Sequence, residues 1–162
     1  CFNIKRFNLE SMMGTHYKGT EEEIRALNAY IKLMRAAESV TSRLNPCLAV
    51  DRLTTSQFGV LEALFHLGPL YQCDLAQKLL KSSGNITMVI DNLEKRGVVE
   101  RRREADDRRL VTVYLTEKGH RLISEIFPNH VVAIVEEMSI LAADEQEVLG
   151  RLCRILGRQE RT

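Results

Sequence analysis

The chain has 162 residues, 44% of them hydrophobic, which is enough for one domain with extensions around a substantial core. Its 23 Lys and Arg stand against 22 Asp and Glu, which excludes a globally basic surface, so any nucleic-acid binding has to come from local placement of charge. No apolar run approaches the roughly 20 residues that cross a bilayer, the start lacks a secretory signal's apolar stretch, and the scattered Cys1, Cys47, Cys73 and Cys153 read as reduced thiols rather than a disulfide framework or zinc knuckle, so a cytoplasmic protein with no membrane contact is the expectation.

Residues 1–19 carry no pattern that assigns them a role. Thr20 and Glu23 then form a capping box that opens a helix. Ile24, Leu27, Ile31 and Met34 make one apolar stripe on it, and Tyr30, Leu33, Ala37, Val40 and Leu44 a second, a wider arc than one neighbouring helix needs. Pro46 is expected to end this helix. A second box, Thr54 with Gln57, precedes a helix with Phe58, Leu61, Leu64 and Phe65 inward, stopped by Gly68 and Pro69. A short helix from Gln72 buries Leu75, Ala76 and Leu79, with Tyr71 where a capping side chain is expected. Lys81 to Gly84 reads as a tight polar turn, followed by a helix that buries Ile86, Val89, Ile90 and Leu93 and ends at Gly97. Two helices so joined are a helix-turn-helix.

Beyond Gly97 the period becomes alternating, and Val111, Val113 and Leu115 share one face of a returning strand, giving a β-hairpin with a charged tip. Thr116 is placed to cap a long helix carrying Leu122, Ile123, Ile126 and Phe127, which Pro128 is expected to kink before Val131, Ile134, Val135 and Met138. A last helix shows Val148, Leu149, Leu152, Ile155 and Leu156, with Ala142 at its cap position. The fold class is therefore mainly α with a small β-hairpin wing: a winged helix-turn-helix at 52–118, flanked by a helix at 20–45 and helices at 119–158. No phosphate loop, cofactor motif or metal spacing is present in the sequence, and His16, His66, His120 and His130 stand apart from any nucleophile, so neither an enzyme nor a cofactor is expected.

A helix after a tight turn can enter the DNA major groove with its first residues against base edges. Short polar side chains suit that end: here Ser82, Ser83, Asn85 and Thr87, with Lys81 available to a phosphate. The plainer alternative is that these residues only cap a helix and that Lys95 to Arg103 form a solvated face. In the wing, Arg108 and Arg109 follow Asp106 and Asp107, and an arginine held by a carboxylate is oriented for the minor groove; otherwise this is a surface ion pair worth under about 1 kcal/mol.

In order, "LTTSQFGVL", "NITMVIDNLEKRGVVERR", "DRRLVTVYLTEKG" and "FPNH" resemble the second helix, recognition helix and first wing strand, wing signature, and long fifth helix of the MarR family, over roughly Glu21 to Leu156. The resemblance implies a homodimer intertwined through its first and last two helices, binding double-stranded DNA at a pseudo-palindromic operator. It implies a transcriptional regulator, most often a repressor, released by a small effector. It gives Arg109 the minor-groove role, Asp107 the orienting role and Arg108 a phosphate. Met88 stands where many relatives have arginine, a change expected either to reduce backbone affinity or to shift base preference toward an apolar contact with thymine methyls. The family's effector cleft has no fixed motif; His16, Tyr17, Tyr30, Arg35 and His66 are the candidates to line it, for an aromatic or phenolic ligand. Two other readings stay open: a thiol-based redox repressor using Cys47 or Cys73, and a winged-helix interaction module without DNA binding.

Overall fold

The computed structural model describes residues 15–49, 51–103 and 110–158. Helices α1 (Glu21–Ala49), α2 (Thr55–Leu67), α3 (Gln72–Lys78), α4 (Ser83–Lys95), α5 (Glu117–Met138) and α6 (Ala143–Arg158) are joined by strands β1 (Leu70–Tyr71), β2 (Val99–Arg103) and β3 (Val111–Leu115). The chain is a winged helix-turn-helix, with β3 central in a small antiparallel sheet of order β1-β3-β2.

Two compact units divide at Arg43 and Leu44. In the first, the capping box forms: the Thr20 N–H donates to Glu23 Oε2 at 2.8 Å, and the Glu23 N–H to Thr20 Oγ1 at 3.3 Å. Ile24, Leu27, Ile31, Leu33 and Val40 of α1 are half-buried, whereas Tyr30 and Met34 are exposed. Pro46 does not end α1, which continues to Ala49. Proline deprives the carbonyl four residues back of its partner, but Ser42 and Pro46 are both exposed, and the extra turn brings Leu48 into the core.

The second unit is built around one cluster: Leu48 and Leu53, five residues of α2, Leu75 and Ala76, the inner face of α4, Val98, Val99 and Val113, and Ile123 and Ile126 of α5. The Thr54 and Gln57 box is complete around α2. Thr116 caps α5, its Oγ1 accepting the Gly119 N–H at 3.1 Å and donating to the Gly97 carbonyl at 2.8 Å. That tie brings Gly119 so close to the Val98 carbonyl that a Cβ would lie 2.0 Å from its oxygen, so any larger residue forces the backbone to shift. The helix then runs through Pro128 to Met138 as one element. Arg96 ties the end of α4 to the loop before α2, its guanidinium donating to the Asp51 and Arg52 carbonyls at 2.9 Å each.

Two local features differ from the sequence reading. Strand β1 was not expected; at two residues it is too short to show alternation, and it exists because Leu70 and Tyr71 pair with Val113 and Thr112. The turn before α4 falls at Leu79 to Lys81 rather than Lys81 to Gly84, with Leu80 at φ 51 and almost fully exposed. Gly84 lies inside the helix. At Ala142 the missing capping side chain is partly replaced by Glu145, whose Oε2 accepts the Ala142 N–H at 2.8 Å. Among the described residues no single helix is long and apolar enough to cross a membrane.

Candidate nucleic-acid interface

Helix α4 starts because Ser82, in extended backbone geometry, accepts the Asn85 N–H on its hydroxyl at 3.3 Å while its carbonyl takes the Ile86 N–H at 3.0 Å. Its apolar residues recur at helical spacing, and Ile86, Val89, Ile90 and Leu93 are sealed in the core. The remaining face is thereby fixed outward: Ser83, Gly84, Asn85 and Met88 are exposed along its first turns, and Lys81 is exposed in the turn before it. Thr87 departs from the sequence reading. It is half-buried, its hydroxyl donating to the Ser83 carbonyl and accepting from Gln72 Nε2, both at 2.8 Å, so it joins α4 to α3.

The hairpin rises beside this helix. Val99 faces Leu115, Arg101 faces Val113 and Arg103 faces Val111 in an antiparallel register. Asp107, Arg108 and Arg109, assigned to the wing tip by the sequence, lie outside the described residues. At the base of the wing the three consecutive arginines separate. Arg102 lies over the Tyr114 ring, 4.5 Å from its centroid, and pairs with Glu100; Arg103 is exposed.

Arg101 turns instead toward α4. Its Nη2 donates to Asp91 Oδ1 and to Glu94 Oε2 at 2.7 Å, its Nε to Glu94 Oε2 at 3.2 Å, and its backbone N–H to Glu94 Oε1 at 3.1 Å. The hydrogen bond from Arg101 is the main reason that the Glu94 carboxyl sits below the usual carboxylate range, and Glu94 in turn raises the guanidinium. The sequence reading placed Arg101 only in the alternative solvated face from Lys95 to Arg103 and gave Asp91 and Glu94 no role. The signal was present as two carboxylates three residues apart on one helix, followed by an arginine in the next strand.

The effector candidates separate between the two units. His16, Tyr17, Tyr30 and Arg35 belong to the first, where the first three are exposed and Arg35 lines an open groove on α1 with Met34, Glu38 and Ser42. His66 belongs to the second, its ring edge-on to Phe127 at 4.7 Å between centroids. The second unit has a cavity of about 420 Å³ lined by Cys47, Asp51, Glu125, Ile126, Asn129 and His130. His130 packs its ring on Phe58 at 4.3 Å, and its buried Nδ1 has no hydrogen-bond partner; burial holds the imidazole below its ordinary pKa. Cys47 and Cys73 are both exposed, and the Cys73 thiol donates to the Asp74 carboxylate at 3.6 Å.

The comparisons fit this geometry. The MarR family profile matches residues 53–111, from the start of α2 into β3. The HTH-type transcriptional regulator MhqR of Bacillus subtilis is 36% identical over 135 residues, 82% of this chain and 92% of MhqR. The fold is similar to that of a mutant MarR from E. coli complexed with operator DNA, with a TM-score of 0.71, 26% identity and coverage of 86% of this chain and 99% of that one. It is also similar to NadR in complex with 4-hydroxyphenylacetate, with a TM-score of 0.68, 26% identity and coverage of 91% and 100%. The chain therefore belongs to the MarR family and is a DNA-binding transcriptional regulator, not an enzyme.

Proposed function

We propose that the chain acts as a homodimeric repressor whose two α4 helices read successive major grooves of a pseudo-palindromic operator. The observation that carries this reading is the division of α4 into a sealed apolar face and an outward face of Ser83, Asn85 and Met88, the geometry a groove-reading helix requires. In this reading Asn85 makes hydrogen bonds to base edges, Met88 meets thymine methyls, and Lys81 and Ser82 hold phosphates. Asp107 orients Arg109 for the minor groove, and Arg108 takes a phosphate. Support for the dimer comes from apolar side chains left exposed by the single chain: Val131, Val132 and Val135 on α5, and Val148, Leu149, Leu152 and Leu156 on α6.

Release by a phenolic effector is the second part of the proposal. NadR is seen with 4-hydroxyphenylacetate, and the second unit's cavity is lined by His130, whose Nδ1 is buried and without a hydrogen-bond partner. A phenolic hydroxyl both donates and accepts, so it pairs with the imidazole in either tautomer once the ring turns Nδ1 toward the cavity. His130 thus replaces His16, Tyr17, Tyr30, Arg35 and His66 as the first residue to test. The exposure of Cys47, on the same cavity, supports the thiol-switch reading as an alternative trigger on the same scaffold; Cys73 is exposed as well, but its hydrogen bond to the Asp74 carboxylate disfavours the thiolate.

The test is selection of duplexes from a random library, followed by fluorescence anisotropy at two salt concentrations. The expected result is a pseudo-palindrome bound with steep salt dependence, and binding weakened by 4-hydroxyphenylacetate in the wild type but not in His130→Gln. Equal binding of all duplexes contradicts the DNA-reading part. Weakening by peroxide, abolished in Cys47→Ser or Cys73→Ser, with no response to the phenol, moves the trigger to the thiols.

A further inference from the structure

The link between α4 and β2 is short, Arg96 to Val98, with Gly97 at φ 69, a backbone conformation that glycine adopts without strain. A helix and a hairpin joined this way share a pivot; the buried Val98 and Val99 and the Thr116 tie hold the base of the hairpin, and the more exposed part of β2 lies beyond them. Arg101 supplies the attachment on the far side of the pivot. Its guanidinium spans Asp91 and Glu94, one turn apart on α4, while Glu94 holds the Arg101 backbone N–H with its other oxygen. Both the main chain and the side chain of one strand residue are therefore tied to one helix.

We propose that Arg101, with Asp91 and Glu94, is a positioning clamp for DNA recognition that fixes the angle between the recognition helix and the wing. The inference rests on the DNA-reading function of α4 proposed above. A groove-reading helix and a wing engage one duplex together only at one relative angle, because each contact depends on position. The planar guanidinium suits the task, since its fork reaches two carboxylates in fixed directions where a lysine ammonium bonds as a point. The clamp also explains why a recognition helix tolerates two acidic side chains that phosphates would repel: they are engaged with Arg101.

The variant that separates positioning from charge is Asp91→Asn with Glu94→Gln. It removes two negative charges from the recognition helix, so electrostatics alone predicts tighter binding to any duplex. The clamp predicts the opposite for sequence reading. Affinity for a duplex selected by the wild type falls by about tenfold, the scale of one lost base contact, while a shuffled duplex of equal length binds as well as before or better. Amide exchange in β2 is expected to rise, with circular dichroism unchanged. Arg101→Lys, which keeps the charge, is expected to retain part of the discrimination and guards against a variant that fails to fold.

The clamp is overturned if the double variant binds selected and shuffled duplexes tighter by the same factor. It is also overturned if Arg101→Met lowers affinity for both duplexes equally and reduces the salt slope, which marks Arg101 as a phosphate contact. A wild type that selects no sequence overturns the DNA-reading function itself, an outcome seen before any variant is made.

Discussion

Helices α2 and α6 are both rich in leucine and close in length, yet their fates differ. Five residues of α2 are buried, and Leu61 is wholly enclosed by the rest of its unit. None of α6 is buried, and Leu152 remains 51% exposed. Periodicity tells which face of a helix is apolar, not what covers it. The α2 face is closed by the chain's own α4, α5 and sheet, so the core of this lobe is closed within one chain. The α6 face is left for something else, which the proposed homodimer supplies with a second copy. In the proposed homodimer, stability and assembly therefore lie in different parts of the molecule and are separable by mutation.

The largest effect expected is on assembly. Leu149→Asp with Leu152→Asp places charge on the open α6 face; sedimentation should report monomers, with operator affinity reduced about a hundredfold or more as two-site binding is lost and circular dichroism of the lobe retained. In the closed region, Leu61→Ala should cost about 2–5 kcal/mol by chemical denaturation, because the site is packed on all sides, and leave the dimer intact while the chain is folded. Gly119→Ala forces a methyl into the Val98 carbonyl and should cost about 1–3 kcal/mol in the same measurement. Thr54→Ala removes one side of the α2 capping box, for about 1 kcal/mol.

The smallest effect is the pH dependence of the lobe. His130 titrates below its ordinary value of 6.5 because burial disfavours the imidazolium. As pH falls from about 7 the unfolded chain takes up this proton first, so the folded state loses stability until the folded value is passed. The melting temperature of His130→Gln should fall less steeply than that of the wild type over this window.

Much of the molecule was legible in the sequence. The capping boxes at Thr20 and Thr54, the Thr116 cap, the buried face of α4 and the wing strands follow from spacing and side-chain chemistry, and they are observed. What was missed depends on context that spacing does not carry. Pro46 reads as a helix stop until the exposure of its neighbours is known. Leu80 occupies a left-handed turn position where glycine or asparagine is the usual choice, so turn chemistry pointed one step too late. Arg101, Arg102 and Arg103 are indistinguishable in sequence; the sheet register and the neighbouring helix send one to carboxylates and one over an aromatic ring. Likewise, nothing local marks His130 as the residue that lines a cavity while its buried nitrogen is left unpartnered.

The most direct test of the account is the stoichiometry of the wild-type chain on a duplex that it selects, measured by sedimentation of the labelled duplex at saturation. Two chains per pseudo-palindrome, bound together without a one-chain intermediate, is the predicted result. Saturation at one chain per duplex, or successive independent binding of single chains, would contradict it.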